Sequence, residues 1–418
     1  MYNFKNNKFF SKSYGGLPKS IYILFISRIV TRIGSFVFAF LALYLKSKLG
    51  MKESDIATFV MINGVFAVIS PFVGGTLADK KGRKKIFIGI QIIGGIIYIL
   101  CGILTDVKPD VIPYLLIAAS MMFRAVGPIT NAMVADLTNN EIDRRRGYSL
   151  IYMGSNIGIA VGPMIGGFLL ANYVKWFFYG DAITTFLSIT LVGLFVKETL
   201  IKESEMEKIE GEESINPEKS LKVFFGEPIL VMFTVFSIII WAVYSQMSFG
   251  LSLHIENVFG GDDGAKLYGM LLSFNAVIVI IFTILVTEFV KRFRTIISIA
   301  FASILYAVGF GMIAFIGNEF QLYFLSVFIW TIGEIVIMTN TNVFIMSHTP
   351  VNHRGRFNAI VGLLSGMGFI ISPKIMSFLI EKLGYFNSWK YVGLTALFAA
   401  FGFFVISIIE KKQQNIKI

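Results

Sequence analysis

The sequence predicts an all-α integral membrane protein, with twelve transmembrane helices in two six-helix pseudo-repeats. Three observations carry that prediction. The 418 residues are 55% hydrophobic and 15% charged, where a soluble domain carries about a quarter charged residues. Apolar runs of about 20 residues or more, each the length of one bilayer crossing, alternate with charged gaps. The second half repeats the first at an offset of 210 residues, which sets Pro163 on Pro373, Gly158 on Gly368, Arg144 on Arg354, Arg146 on Arg356 and Arg124 on Glu334. A closed β-barrel is the other structure that satisfies its own backbone in lipid. Its strands alternate apolar and polar residues, and these continuous runs do not.

Span 1 is read over residues 19–46. The residues before it are polar and basic, with no separate signal-peptide core and cleavage site. Spans 2 (54–78) and 3 (85–105) flank a tight basic loop and turn back on each other. Spans 4 (112–138) and 5 (147–171) are divided by Arg144, Arg145 and Arg146, and span 6 (176–196) follows Lys175. These six form an N-terminal bundle, residues 1–196. Residues 197–227 are the one long polar interruption. The seven glutamates between Lys202 and Ser220 mark it as a solvated cytoplasmic linker joining two halves. Six further runs, near 228–254, 265–289, 295–316, 320–347, 356–380 and 390–409, form a C-terminal bundle over residues 228–418.

Lys and Arg orient the chain. With the N-terminus inside, 25 of the 37 fall in cytoplasmic segments and 8 in outer ones, so both termini are expected in the cytoplasm. The expected location is the cell membrane, a bacterial cytoplasmic membrane. The net charge of +11 does not indicate nucleic acid, because the cations sit in short gaps between apolar runs, where they set orientation and meet anionic lipid heads. Cys101 is the only cysteine, so an intrachain disulfide is excluded. No metal-ligand cluster, nucleotide loop or nucleophile triad is visible. The reading is therefore not an enzyme, with no metal and no cofactor beyond a proton gradient as energy source; a monomer is expected.

Two motifs carry more than topology. The stretch Gly75-Thr76-Leu77-Ala78-Asp79-Lys80-Lys81-Gly82-Arg83-Lys84-Lys85 resembles the loop joining helices 2 and 3 of the major facilitator superfamily. Acid, glycines and basic tail all agree in spacing. In span 5, Gly158-x-x-x-Gly162-Pro163-x-x-Gly166-Gly167 resembles the antiporter motif of that superfamily's proton-coupled exporters. Glycines at four-residue spacing let another helix approach closely, and Pro163 permits a bend. The second half departs from the motif, with Met376 and Ser377 where the paired glycines would stand. The resemblance covers nearly the whole chain, and the twelve-helix drug:proton antiporter branch fits best.

The resemblance implies the major facilitator fold. It implies that Gly75, Asp79, Gly82 and Arg83 form a gating latch, with Asp136 a partner for Arg83. It also implies that spans 1, 4, 7 and 10 line a central cavity. Charges inside spans are expensive and usually functional. Arg28 and Arg32 lie four apart, hence on one face of span 1; Arg124 lies in span 4 and Glu334 in span 10. These would face the cavity, with Gln246 and His254 from span 7. Burial disfavours a charged carboxylate and a nearby arginine favours it, so a site of alternating hydration would change its proton affinity. Glu334 is read either as that proton carrier or as a permanent ion pair with Arg124 or Arg32. Asp181 is either a second proton site or, as the preferred role, a helix cap at headgroup depth.

The implied function is secondary active transport by alternating access: proton-coupled efflux of hydrophobic drug-like or metabolite compounds. The partners are then a small-molecule substrate, protons and membrane lipids. The alternative is a proton-coupled transporter of one polar or anionic metabolite, such as a sugar, amino acid or peptide, which three intramembrane arginines would suit. A polytopic membrane enzyme is a remote alternative.

Overall fold

The computed structural model describes residues 15–138, 140–199, 223–349 and 354–416, and every regular element in them is helical. Most of the expected linker, residues 200–222, lies outside the described residues. Ten helices among the described residues are long and apolar enough to cross a membrane. One of them, Phe357–Lys412, has 56 residues. At ~1.5 Å per residue it is ~84 Å long, against a hydrocarbon core of ~30 Å, so it must be two crossings. These are spans 11 and 12, and they part at Gly384 (φ 77°, ψ 168°), the residue that leaves helical geometry inside Arg354–Ile416. Span 1 completes the twelve. It is in three pieces, Lys19–Gly34, Phe36–Ala39 and Leu41–Ser47, none of them long enough to cross alone.

The other spans are Glu53–Lys81 (span 2), Arg83–Leu104 (3), Ile112–Asp136 (4), Glu141–Asn172 (5), Val174–Phe195 (6), Gly261–Val290 (8), Thr295–Gly311 (9) and Phe320–Ser347 (10). Span 7 runs as Pro228–Tyr244, a 3-10 turn Ser245–Met247, and Gly250–Phe259.

Three expectations are corrected. Span 1 is not continuous. The Ser35 hydroxyl donates to the Thr31 carbonyl at 2.7 Å and Thr31 donates to Ser27 at 2.9 Å; such back-bonding bends helices. Ser35 itself adopts φ −76°, ψ 48°, which ends the first piece. The basic stretch after Gly75 is barely a loop: helix continues to Lys81 and restarts at Arg83. Only Gly82 turns, at φ 105°, where a residue with a Cβ would be strained. Span 7 passes His254, which therefore lies inside the span rather than at its end.

The chain forms two compact units, Met1–Leu41 with Val65–Gly211, and Ala42–Gly64 with Glu212–Ile418. In the first, span 1 packs along spans 5 and 6, and span 3 along spans 4 and 6. Lipid supplies no hydrophobic drive between helices, so small residues that allow close approach matter most. A Cβ on Gly158 would stand 2.4 Å from Arg32 Cβ and 2.8 Å from Ile29 O, and one on Gly162 would stand 2.6 Å from Ile33 O. One on Gly166 would meet Phe36 Cβ at 2.3 Å. The glycine stripe of span 5 is thus a seat for span 1 at its break.

The second unit repeats the scheme. Span 9 lies against spans 10 and 12, and span 8 against span 10. Gly368 of span 11 sits so close to span 7 that a Cβ would be 2.0 Å from Ile238 O. Residues Ala42–Gly64 are held within this unit by polar contacts. Lys48 meets Asp262 at 2.8 Å, and Tyr385 donates to Glu53 at 2.5 Å. Lys374 of span 11 donates to Ser54 O at 3.0 Å and to Thr58 Oγ1 at 2.7 Å.

Candidate functional site

In the first unit, the turn at Gly82 places Arg83 at the start of span 3. Arg83 Nη1 reaches Asp136 Oδ2, at the end of span 4, at 2.7 Å, and its other arm lies 3.5 Å from Asp79. The Arg83 and Asp136 side chains are only 14% and 11% exposed, while Asp79 is 60% exposed, so the pair with Asp136 is the desolvated one. Gly75 stands in open space, with nothing within 4 Å of a Cβ.

The sequence reading missed a sixth participant. Glu198, just beyond span 6, accepts from the backbone N–H groups of Lys84 and Lys85 at 3.1 and 3.2 Å. Lys84 Nζ in turn reaches Gly193 O at 2.7 Å. The free donors at the start of span 3 are therefore capped by a carboxylate from another span. An acid right after an apolar run was the only available signal, and it falls within the first residues of the linker.

Deeper in the same unit, the three arginines gather. Arg28 and Arg32 lie close enough to repel, and Arg32 and Arg124 likewise. Arg28 Nε donates to Ser155 Oγ at 2.7 Å. Arg32 Nε is buried without a hydrogen-bond partner, and none of the three makes an ion pair with a carboxylate among the described residues. Arg32 belongs to the stretch of span 1 seated on Gly158 and Gly162, so the glycine stripe fixes where this guanidinium stands. Asp181, eight residues into span 6, is 3% exposed, and its Oδ2 accepts from Val37 N, at the break of span 1, at 3.4 Å.

In the second unit, Glu334 stands near the middle of span 10 and is 9% exposed. Both carboxylate oxygens have neutral donors. Tyr244 Oη, from span 7, donates to Oε1 at 2.7 Å, and Asn275 Nδ2, from span 8, donates to Oε2 at 2.8 Å. Asn275 also meets Thr331 Oγ1 at 2.9 Å. The Tyr306 ring stacks on that of Tyr244 at 6.2 Å, and its hydroxyl is buried without a partner. Asn275 and Tyr306 were not legible as site residues, because polar side chains inside spans more often join helices.

Gln246 is buried and bonds to Ala242 O at 3.1 Å; its Oε1 has no partner. His254 is fully buried, 2.9 Å from Tyr323 Oη, inside a cage of Tyr385, Phe386 and Trp389. Trp330 of span 10 is a core residue stacked on Phe310 at 5.2 Å. A carboxylate held only by neutral donors in a dry environment is suited to taking up and releasing a proton as its hydration changes.

Known proteins resemble this chain along its length. The family profile of the Major Facilitator Superfamily matches residues 24–373. A Na(+), Li(+), K(+)/H(+) antiporter of Planococcus maritimus is 22% identical over 358 residues, covering 81% of this chain and 84% of that protein. The quinolone resistance protein NorA of Staphylococcus aureus (strain COL) is 23% identical over 380 residues, covering 87% and 91%. Among solved structures, the nucleoside transporter NupG superposes with a TM-score of 0.75 at 16% identity, covering 93% of this chain and 99% of that one. The twelve helices, their two-fold repeat and the matched profile together make this chain a member of the major facilitator superfamily of transporters.

Proposed function

We propose that the protein is a proton-coupled exporter of hydrophobic, drug-like or metabolite compounds, working as a monomer in the bacterial cell membrane with both termini in the cytoplasm. Two six-helix halves, residues 1–196 and 228–418 joined by a cytoplasmic linker, work by alternating access. Glu334 loads a proton from outside and releases it inside, opposite to the substrate. The observation that carries this is the setting of Glu334: mid-span, dry, and held by Tyr244 and Asn275, with no cation bonded to it among the described residues. The likeness to a quinolone resistance protein and to a cation/proton antiporter supports the same direction.

The test uses purified protein in proteoliposomes with an imposed pH gradient and ethidium as the transported probe. Wild type moves ethidium against the proton flow; Glu334→Gln keeps binding it and loses the gradient-driven movement. Equal transport by both proteins removes Glu334 from the coupling. Indifference of the wild type to ethidium removes drug efflux, and a second reading then takes over: export or uptake of an anionic metabolite. That reading rests on Arg28, Arg32 and Arg124, a cationic cluster without a carboxylate partner among the described residues.

A further inference from the structure

Asp181 plays no part in the mechanism above, yet it is as dry as Glu334 and has fewer partners. Among the described residues one donor approaches its carboxylate, Val37 N at 3.4 Å, longer than an ordinary N–H···O bond. A charged carboxylate buried in lipid without a counter-ion is costly by several kcal/mol, so the surroundings decide its state. From span 3, Tyr98 is near enough to Asp181, Cys101 and Arg124 to feel their charges. From span 4, Arg124 lies within electrostatic range of Tyr98 and, among the described residues, forms no ion pair with Asp181. From span 1, Arg28 and Arg32 precede the break at Ser35, and Arg28 donates to Ser155. Span 5 carries no titratable side chain between Gly158 and Asn172, and on span 6 itself Lys175 is paired with Asp106. Among the described residues, therefore, no cation neutralises Asp181.

Thr185 supplies the carboxylate with no donor either. Thr185 stands one turn further along the same face. It is fully buried, and its Oγ1 has no hydrogen-bond partner. The usual partner of a helical threonine hydroxyl, the carbonyl four residues back, already accepts from Thr184 Oγ1 at 3.0 Å.

We propose that Asp181 is a second proton-binding site, seated in the first unit against the break in span 1. The step adds one proton to the Asp181 carboxylate, giving a neutral acid, and returns it when the site is rehydrated. It deepens the proton-coupled reading, on which its purpose rests, by giving each unit one exchangeable proton. It also ties that proton to the residue that holds the second piece of span 1, the helix whose first piece carries Arg28 and Arg32.

The site is tested without any transported compound, so its failure is separate from failure of the Glu334 mechanism. Infrared spectra of reconstituted protein at neutral pH report protonated carboxyls through their C=O stretch. Wild type, Asp181→Asn, Glu334→Gln and the double variant are compared in choline buffer and in sodium and potassium buffers. Asn keeps an acceptor for Val37, and wild type carrying carboxyl-13C aspartate makes the same assignment with no substitution. The expected result is a carboxylic C=O component that shifts with 13C-aspartate, disappears in Asp181→Asn and survives in Glu334→Gln. If the component is absent at neutral pH, Asp181 is ionised and the proposal fails. If it appears only when alkali ions are withdrawn, a metal cation rather than a proton occupies the site, and the proposal fails in that form too.

Discussion

Substituting Gly162 by Ala tests whether the glycine stripe is a seat for span 1. The new Cβ would stand 2.6 Å from Ile33 O and 2.9 Å from Arg32 O, against about 3.3–3.6 Å for a tolerated carbon–oxygen contact. The obstacle is backbone, so no rotamer change relieves it; spans 1 and 5 must part by roughly half an ångström or more. Overpacking of this kind costs about 1–3 kcal/mol, less the ~0.5–1 kcal/mol that Ala gains over Gly in a helix. For a body of this size each kcal/mol is worth about 2–4 °C, so the melting temperature in detergent should fall by several degrees. Gly89, in span 3, has nothing within 4 Å of its Cβ, and Gly89→Ala should melt at or slightly above wild type. Helical circular dichroism against temperature measures both. A Gly162→Ala protein as stable as Gly89→Ala would refute the close approach, and with it the claim that span 5 positions Arg32.

Two further expectations concern the cluster around Arg83. A double-mutant cycle of Arg83→Gln and Asp136→Asn, read by thermal unfolding, should give a coupling of about 0.5–3 kcal/mol, larger than the matching cycle of Arg83 with the exposed Asp79. Glu198→Ala should cost about 1 kcal/mol or somewhat more, as loss of a charged cap does. Amide hydrogen exchange at Lys84 and Lys85 should accelerate, while that in the middle of span 3 stays unchanged.

Span count, span type and the repeat were legible because hydropathy and glycine or proline placement are properties of contiguous residues. Arg83 and Asp136 were legible as partners only through a family pattern, since nothing in spacing brings spans 3 and 4 together. The break in span 1 was hidden: Gly34 and Ser35 are tolerated in many continuous helices, and no spacing shows that Thr184, 150 residues away in sequence, fills the space beside Gly34. Asn275 and Glu198 were hidden for a related reason. Each acquires its role from a group more than fifty residues away, Glu334 and the first turn of span 3 respectively.

The broken, doubly charged first span also bears on biogenesis. Residues 19–46 hold fifteen Leu, Ile, Val and Phe, each favouring translocon-mediated insertion by about 0.3–0.6 kcal/mol, while each arginine opposes it by up to about 2.5–3.5 kcal/mol. The two sides nearly cancel, so the segment that must enter the membrane first is among the least able to stay there alone. Its lasting partners, spans 5 and 6, emerge more than a hundred residues later. Until then Arg28 lacks Ser155 and Arg32 lacks its glycine seat. Span 1 is thus placed early but secured late, and substitutions in the span 5 stripe will lower yield by loss to quality control as well as by loss of stability in the finished protein.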